Sequence, residues 1–183
     1  MELHLIRHPR PDVPAGVCYG QSDVGLAESV AEVAARLRPL LPPRYQLHAS
    51  PLARARLLAA ELGTPQLDDR LKEMHFGDWE LRPYDGLGPA IDAWASDPLN
   101  FCAPGGESAQ VMATRVLGWL DELVASAPPE PVVVVAHGGP LRAIAGHLLG
   151  VPPERWLALD FACGRVARLD VEDWGVVLRW FNR

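Results

Sequence analysis

Two arginine and two histidine side chains from distant parts of the chain could together bind a phosphate group: Arg7, His8, Arg54 and His137. Guanidinium groups neutralise the charge on phosphate oxygens. A neutral imidazole can attack phosphorus when one of its ring nitrogens is held by a hydrogen bond. Neighbouring guanidinium groups disfavour the imidazolium form, which keeps such a nucleophile available near neutral pH. We therefore expect a phosphate monoester site, with His8 or His137 as nucleophile and the amide of Gly138 as a further phosphate contact.

Strands must bring these residues to one place. The apolar start of the chain predicts a strand over residues 3–8, which ends at Pro9 because proline has no amide donor for further pairing. Residues 45–50 predict a second strand. The unbroken valine run within 131–137 is typical of a central strand covered on both faces. Residues 165–180 predict two strands joined by an Asp-Trp-Gly turn, as an edge hairpin.

Helices follow the first two strands. Apolar residues at helical spacing predict a helix over residues 26–41. A second helix has a signal at each end, with Ser50 as N-cap, Pro51 as first helical residue and Gly63 as the stop. Because helix N-termini attract anions, this second helix would add to the phosphate site.

The second half of the chain begins with an irregular stretch rich in Gly, Pro and aromatic residues, at about 77–106. It predicts a lid or insert with one short helix around residues 91–94. A long helix follows, with Glu107 or Ser108 as its N-cap, and another helix lies between Pro140 and Gly150. Strands alternating with helices predict a single three-layer α/β/α domain over residues 1–183, whose central sheet is mostly parallel with an antiparallel edge.

Composition narrows the class of protein. The formal net charge is −6 and the pI is near 5.5, which disfavour binding to nucleic acid or anionic membranes because those partners require a broad cationic face. No apolar run is long enough to span a membrane. Three separated cysteines without CxxC spacing are typical of a reducing cytosol. We expect a cytoplasmic protein that acts on a small-molecule phosphomonoester without a cofactor or metal; its oligomeric state stays open.

Five segments resemble, in order, the motifs of the histidine phosphatase superfamily, also called phosphoglycerate mutase-like: "LIRHP", "SPLARA", "LKEMHFGDWE", "PGGES" and "VVVAHGGPLRAI". The resemblance extends over residues 5–144. It implies that His8 is the nucleophile that forms a phosphohistidine and that Glu73 is the proton donor. It also implies that the phosphate is held by Arg7, Arg54 and His137. Spacing and residue type alone do not distinguish Glu73 from the other carboxylates of its segment.

Three positions depart from the commonest family pattern. Pro9 stands where glycine is usual, Leu58 where threonine is usual, and Leu81 where glycine is usual. None of these changes removes a residue to which the resemblance gives a catalytic role. The missing amide of Pro9 does remove one donor that a phosphate could otherwise use.

Within the superfamily, the segments "RHP…GVCYGQSDVGL" and "AWASDP…PGGES" look most like the α-ribazole phosphatase branch. That branch dephosphorylates a nucleotide-like intermediate of cobalamin synthesis. Gln21, Ser22 and Trp79 are predicted substrate contacts. The alternatives are a phosphoglycerate mutase, a broad-specificity sugar phosphatase and, from another class, an inactive module that binds phosphorylated ligands. The combination of all five implied site residues favours an enzyme over the inactive module.

Overall fold

Six strands form one mixed sheet in the computed structural model, which describes residues 1–183. They are β1 (Glu2–Arg7), β2 (Gln46–Ala49), β3 (Gln66–Leu67), β4 (Val132–Ala136), β5 (Val166–Glu172) and β6 (Gly175–Trp180). Their order across the sheet is β3-β2-β4-β1-β5-β6. Strands β1 to β4 are parallel to one another, whereas β5 runs antiparallel to β1 and pairs with β6 as a hairpin. The predicted parallel sheet with an antiparallel edge is therefore confirmed.

Helices cover both faces of the sheet. The α-helices are α1 (Val30–Leu37), α2 (Ala53–Leu62), α3 (Ala90–Ser96), α4 (Ala109–Ala125) and α5 (Gly138–Leu148), of which α3 belongs to the irregular segment 77–106. Short 3-10 helices lie at Arg38–Leu40, Asp69–Leu71, Gly77–Trp79, Tyr84–Leu87 and Pro153–Ala158. Buried side chains of α1 and α2 pack on one face, and those of α4 and α5 pack on the other. No helix combines the length and the apolar character that crossing a membrane requires.

The valine run of β4 follows directly from its central position. Every residue of this strand is buried, and successive side chains point to opposite faces of a strand. Val132 and Val134 pack with α4 and α5. Val133 and Val135 pack with α1 and α2. A strand covered on both sides therefore needs apolar residues at every position, which confirms the three-layer arrangement.

Helix α1 begins at Val30, so the prediction of a helix from residue 26 is wrong at its start. The Ser29 hydroxyl accepts a hydrogen bond from the Glu32 amide (3.4 Å) and caps the helix. The residues before Ser29 are held by other backbone contacts, including a hydrogen bond from the Ala27 amide to the Arg10 carbonyl (2.9 Å). Backbone pairing of this kind removes residues 26–28 from the helix.

Ser50 is not the N-cap of α2, which corrects a second prediction. The helix begins at Ala53 after an extended Leu52, and its predicted end at Gly63 is confirmed. The Ser50 hydroxyl hydrogen-bonds instead with His137 (2.7 Å) and accepts from the Leu52 amide (3.3 Å). Ser50 has the local sequence of a helix cap, but its hydroxyl instead binds His137, which follows β4.

The two later helices begin close to their predicted starts. Ser108, one of the two candidate caps of α4, accepts a hydrogen bond from the Val111 amide (3.2 Å). Helix α5 begins at Gly138, two residues before the predicted start at Pro140. Proline fits the first turn of a helix because the amides there have no helical acceptor. The difference places Gly138 and Gly139 inside the helix N-terminus.

The two ends of the irregular segment 77–106 lie close together. The Asp78 amide, near the start of the segment, donates a hydrogen bond to the Pro104 carbonyl, near its end (2.8 Å). Gly77 has a φ of 54°, and a Cβ at this residue would lie 2.1 Å from the Pro104 oxygen. Only glycine allows this close approach. Helix α3 covers the predicted short helix at 91–94, while the role of the segment as a lid stays a prediction.

Candidate active site

The four predicted phosphate-site residues come together at the carboxyl ends of neighbouring strands. They are Arg7, His8, Arg54 and His137. His8 follows β1, His137 follows β4, and Arg54 lies in the first turn of α2, after β2. All three are almost fully buried. The His8 and His137 rings lie 5.1 Å apart between centroids. The charges of Arg54 and Arg7 lower the pKa of both imidazoles.

One ring nitrogen of His8 is fixed by a hydrogen bond. Its Nδ1 lies 2.7 Å from the carbonyl oxygen of Pro9. A carbonyl can only accept, so Nδ1 carries the proton and Nε2 carries the lone pair. Burial, followed by the charge of Arg54, lowers the pKa of His8 to about 3. His8 is therefore a neutral imidazole at pH 7, and the backbone hydrogen bond determines that the lone pair lies on Nε2.

His137 is held by Ser50. Its Nε2 and the Ser50 hydroxyl are hydrogen-bonded at 2.7 Å. Its Nδ1 is buried and has no hydrogen-bond partner in the protein. Burial, and then the proximity of His8 and of the Arg54 guanidinium, lower the pKa of His137 well below its ordinary value. The sequence analysis assigned Ser50 to a helix cap and missed this contact, because nothing in the local sequence indicates it.

Backbone carbonyl groups orient both arginines. Arg7 donates from Nη1 to the Phe161 carbonyl (2.6 Å). Arg54 donates to the carbonyls of Gly20 (2.5 Å) and Ser22 (2.9 Å). The Nε atoms of both arginines are buried and have no acceptor in the protein. Because buried donors are normally paired, these groups favour binding of an anion between them.

Glu73 lies beside the start of α5. Its carboxylate accepts hydrogen bonds from the Met74 amide (2.9 Å) and from the Gly139 amide (3.1 Å). Glu73 lines the same cavity as Arg7. The geometry therefore places a half-buried carboxyl group next to the cationic end of the site.

Gly138 lies between two guanidinium groups. A Cβ added to Gly138 would lie 2.9 Å from Nη1 of Arg142 and 3.5 Å from Cζ of Arg7. Glycine at this position lets both arginines approach the N-terminus of α5. Its position is compatible with the predicted phosphate contact.

The three predicted substrate contacts lie outside the cavity wall. Gln21 donates from Nε2 to the Glu73 carbonyl (3.0 Å). The carbonyl of Ser22 accepts from Arg54, while its hydroxyl and amide donate to Glu80. Trp79 is buried in a separate apolar cluster with Cys18, Leu87 and Ala103. Gln21 and Ser22 therefore form hydrogen bonds to Glu73 and Arg54 and do not line the cavity. The ring of Trp79 packs in its apolar cluster and does not line the cavity either.

A largely apolar cavity of about 310 Å³ opens beside Arg7 and Glu73. Its aromatic wall comes from Tyr19, Phe76, Tyr84, Trp94 and Trp156. The segment 77–106 supplies two of these rings. The 3-10 helix Pro153–Ala158 also contributes to the wall, although no recognisable motif in the sequence predicts this. The cavity can hold a bulky, flat group attached to a bound phosphate.

Arg142 is a further cation on the cavity wall that the sequence analysis missed. Its Nε donates to the Leu159 carbonyl (2.9 Å), and its Nη2 lies 3.5 Å from the exposed carboxylate of Asp160. Burial, and then the charge of Arg7, lower the pKa of Arg142. Its position four residues after Gly138, on the same face of α5, is the signal that could have identified it.

Comparisons with known proteins agree with this arrangement. The family model of the histidine phosphatase superfamily (branch 1) matches residues 3–183. Glucosyl-3-phosphoglycerate phosphatase of Mycolicibacterium vanbaalenii is 34% identical, with 86% of this chain and 78% of the relative covered. Adenosylcobalamin/alpha-ribazole phosphatase of Salmonella typhimurium is 31% identical, with 83% of this chain and 81% of the relative covered.

A solved structure extends the likeness to the whole fold. The crystal structure of the alpha-ribazole phosphatase from Shigella flexneri superposes with a TM-score of 0.91 at 27% sequence identity, and the match covers 100% of this chain and 96% of that chain. The family model, the named relatives and the superposed structure all indicate the same superfamily. The chain therefore belongs to the histidine phosphatase superfamily, as a hydrolytic phosphatase of branch 1.

Proposed function

We propose that this chain hydrolyses a small-molecule phosphate monoester through a phosphohistidine on His8. The observation that carries this proposal is the hydrogen bond from His8 Nδ1 to the Pro9 carbonyl (2.7 Å). It leaves the lone pair on Nε2 of a neutral imidazole, as a nucleophile requires. The partly buried Arg7 and the buried Arg54 and His137 would hold the phosphoryl group and neutralise its charge.

In the first step, His8 Nε2 attacks phosphorus in line with the ester oxygen. The new N–P bond forms as the P–O bond to the leaving group breaks. The departing oxygen takes a proton from the carboxylic acid of Glu73 and leaves as an alcohol. In the second step, water attacks phosphorus and Glu73 takes up a proton from that water. The N–P bond breaks, its electron pair returns to Nε2 of His8, and inorganic phosphate leaves. His8 returns to its neutral form and Glu73 is again protonated for the next cycle.

Trapping of the intermediate tests this mechanism. Rapid quenching with a ³²P-labelled substrate should give a phosphoenzyme that survives alkali and is lost in acid, as a phosphoramidate is. His8→Ala should lose both the label and turnover while keeping its circular dichroism spectrum. Label on another residue, or substantial residual turnover, would exclude His8 as the nucleophile.

The candidate substrate is α-ribazole 5′-phosphate, whose benzimidazole base is flat and apolar. The aromatic cavity wall next to Arg7 supports this choice, because such a wall can stack on a planar ring. The structural likeness to an alpha-ribazole phosphatase supports it as well. In this proposal the segment 77–106 is the insert that shapes the leaving-group side of the site, since it supplies Tyr84 and Trp94.

A second candidate is a phosphoglycerate ester such as glucosyl-3-phosphoglycerate. The specific observation that favours it is Arg142, a guanidinium on the cavity wall that could bind the carboxylate of such a substrate. The relatives of that name are also 34% identical to this chain. An aromatic nucleoside would use the apolar wall, whereas a phosphoglycerate would use Arg142.

Comparison of kcat/KM for the two substrates distinguishes these candidates. If α-ribazole 5′-phosphate is the substrate, its kcat/KM should exceed that of glucosyl-3-phosphoglycerate, and Arg142→Met should change it little. A higher value for the phosphoglycerate ester, with a selective loss in Arg142→Met, would instead establish the second candidate. Hydrolysis of p-nitrophenyl phosphate serves as the control for the common chemistry.

A further inference from the structure

We propose that Arg115 is a positioning residue that sets the place of Glu73 in the active site. Arg115 lies on α4, contacts no residue that would bind phosphate, and has no role in the mechanism above. This proposal rests on the proposed function, because it assigns Arg115 to the support of the acid that protonates the leaving group.

Every N–H of the Arg115 guanidinium is used. Nη1 donates to the carbonyls of Arg70 (2.6 Å) and Lys72 (2.8 Å). Nη2 donates to the Glu73 carbonyl (2.9 Å) and to Oε1 of Glu107 (2.5 Å). Nε donates to Oε2 of Glu107 (3.1 Å). Because the guanidinium is planar and its donors are fixed in direction, these five bonds define one position of the segment.

Glu107 extends the contact to the other side of Glu73. Its Oε1 accepts a hydrogen bond from the His75 amide (3.0 Å), and its own amide donates to the His75 carbonyl (2.8 Å). The Arg115–Glu107 pair therefore binds the backbone before Glu73, at Glu73 itself and after it. Both side chains are mostly covered, with 21% and 15% exposed, respectively.

This pair fixes the backbone from which the Glu73 carboxylate reaches the cavity. The carboxylate itself accepts only from the amides of Met74 and Gly139. A shift of the backbone at Glu73 would move the carboxyl group relative to the leaving oxygen. A misplacement of about 1 Å can cost about 100-fold in rate. Lysine would keep the charge of Arg115 but has neither the planar fork nor enough donors for five acceptors.

The test compares Arg115→Lys with the unchanged enzyme on two substrates of similar size. 2-Phenylethyl phosphate releases an alkoxide that needs a proton, whereas p-nitrophenyl phosphate releases a phenolate that needs little help. The phosphoenzyme-forming burst should fall about 10- to 100-fold with the alkyl substrate and change little with the aryl substrate. A purely structural role would lower both bursts alike.

Introducing Arg115→Lys into a Glu73→Gln background makes the test specific. Without the acid, the lysine substitution should add no further selective loss on the alkyl substrate. Arg70→Gln is the matched control, because its side chain binds Asp68 of the same segment and Glu122 of α4 and gives no donor to Glu73. It should leave both bursts unchanged. If Arg115→Lys does not fold, Glu107→Gln, which keeps an acceptor for the His75 amide, takes its place and should show the same selectivity in weaker form.

The outcomes separate the two proposals. Equal losses on both substrates in the Arg115 or Glu107 variant, with a selective loss in Glu73→Gln, would overturn the positioning role alone. An alkyl-selective loss that persists undiminished in the Glu73→Gln background would overturn it too. Equal losses in Glu73→Gln itself would remove the acid role of Glu73, and the positioning role with it, while phosphohistidine formation on His8 could still be observed.

Discussion

The backbone amide of Gly139 donates a hydrogen bond to the Glu73 carboxylate at 3.1 Å. This contact joins the helix that begins after His137 to the residue that we propose as the acid. His137 and Glu73 therefore both lie at the N-terminus of α5. His137 precedes the helix, and the Glu73 carboxylate contacts its first turn. Glycine at position 139 leaves the space that this carboxylate occupies.

A side chain at position 139 should disturb Glu73 directly. A Cβ there would lie 2.2 Å from Oε1 of Glu73 and 2.8 Å from Sδ of Met112. Gly139→Ala should therefore slow phosphoenzyme formation from an alkyl phosphate more than from p-nitrophenyl phosphate. Rapid-quench measurement of the phosphoenzyme burst with each substrate tests this. Gly118→Ala is the control, since a Cβ on that helical glycine meets nothing within 4 Å. Equal activity of Gly139→Ala and the unchanged enzyme would contradict the contact.

The burial of His8 should make folding stability depend on pH. The pKa of His8 falls from the ordinary value of 6.5 to about 3 in the folded chain. Below pH 6.5 the unfolded chain therefore binds a proton that the folded chain does not bind. The free energy of unfolding should decrease as pH falls from 6.5 towards 3, by up to about 1.4 kcal/mol per pH unit from this residue.

His8→Asn removes the titrating group and should reduce that slope. Urea unfolding at several values between pH 7 and pH 4 gives the free energy of unfolding for both proteins. The unchanged protein should lose stability faster on acidification than His8→Asn. Parallel curves would show that His8 titrates alike in the folded and unfolded chains.

The aromatic wall should determine affinity for a flat leaving group. Trp94 lines the cavity from α3 and is half-buried. Trp94→Ala should raise KM for an aromatic phosphomonoester several-fold and affect a small alkyl phosphate less, because only the former contacts the ring. Trp174→Ala is a matched control, since this residue lies at the tip of the β5–β6 hairpin and is 76% exposed. A uniform KM change for both substrates would argue against stacking on Trp94.

Activity should not require a divalent metal. The two guanidinium groups of Arg7 and Arg54 supply the positive charge that a phosphoryl group needs. No group of three or more His, Cys, Asp or Glu side chains is arranged to hold a metal ion. Dialysis against EDTA should therefore leave kcat/KM for p-nitrophenyl phosphate nearly unchanged. Loss of activity that one metal restores specifically would contradict this prediction.

The sequence alone determined the layers of the fold, because the spacing of apolar residues indicates which faces of each helix and strand are buried. The valines of β4 predicted a central strand, since each of its faces is covered by helices. Proline after His8 predicted the end of β1, because a missing amide cannot pair. The segments that carry Arg7, Arg54 and His137 could be placed together at one sheet edge, because parallel strands present their carboxyl ends on the same side.

The tertiary structure alone decided which polar groups meet. Ser50 has the local signature of a helix cap, yet its hydroxyl is 2.7 Å from His137, which is 87 residues away in sequence. Trp79 resembled a pocket residue but packs in a separate cluster, while Arg142 and Trp156 reach the cavity without a motif. Sequence patterns record which face of an element is buried. They do not record the long-range contacts between elements, and it is these contacts that give a buried hydroxyl, guanidinium or ring its partner.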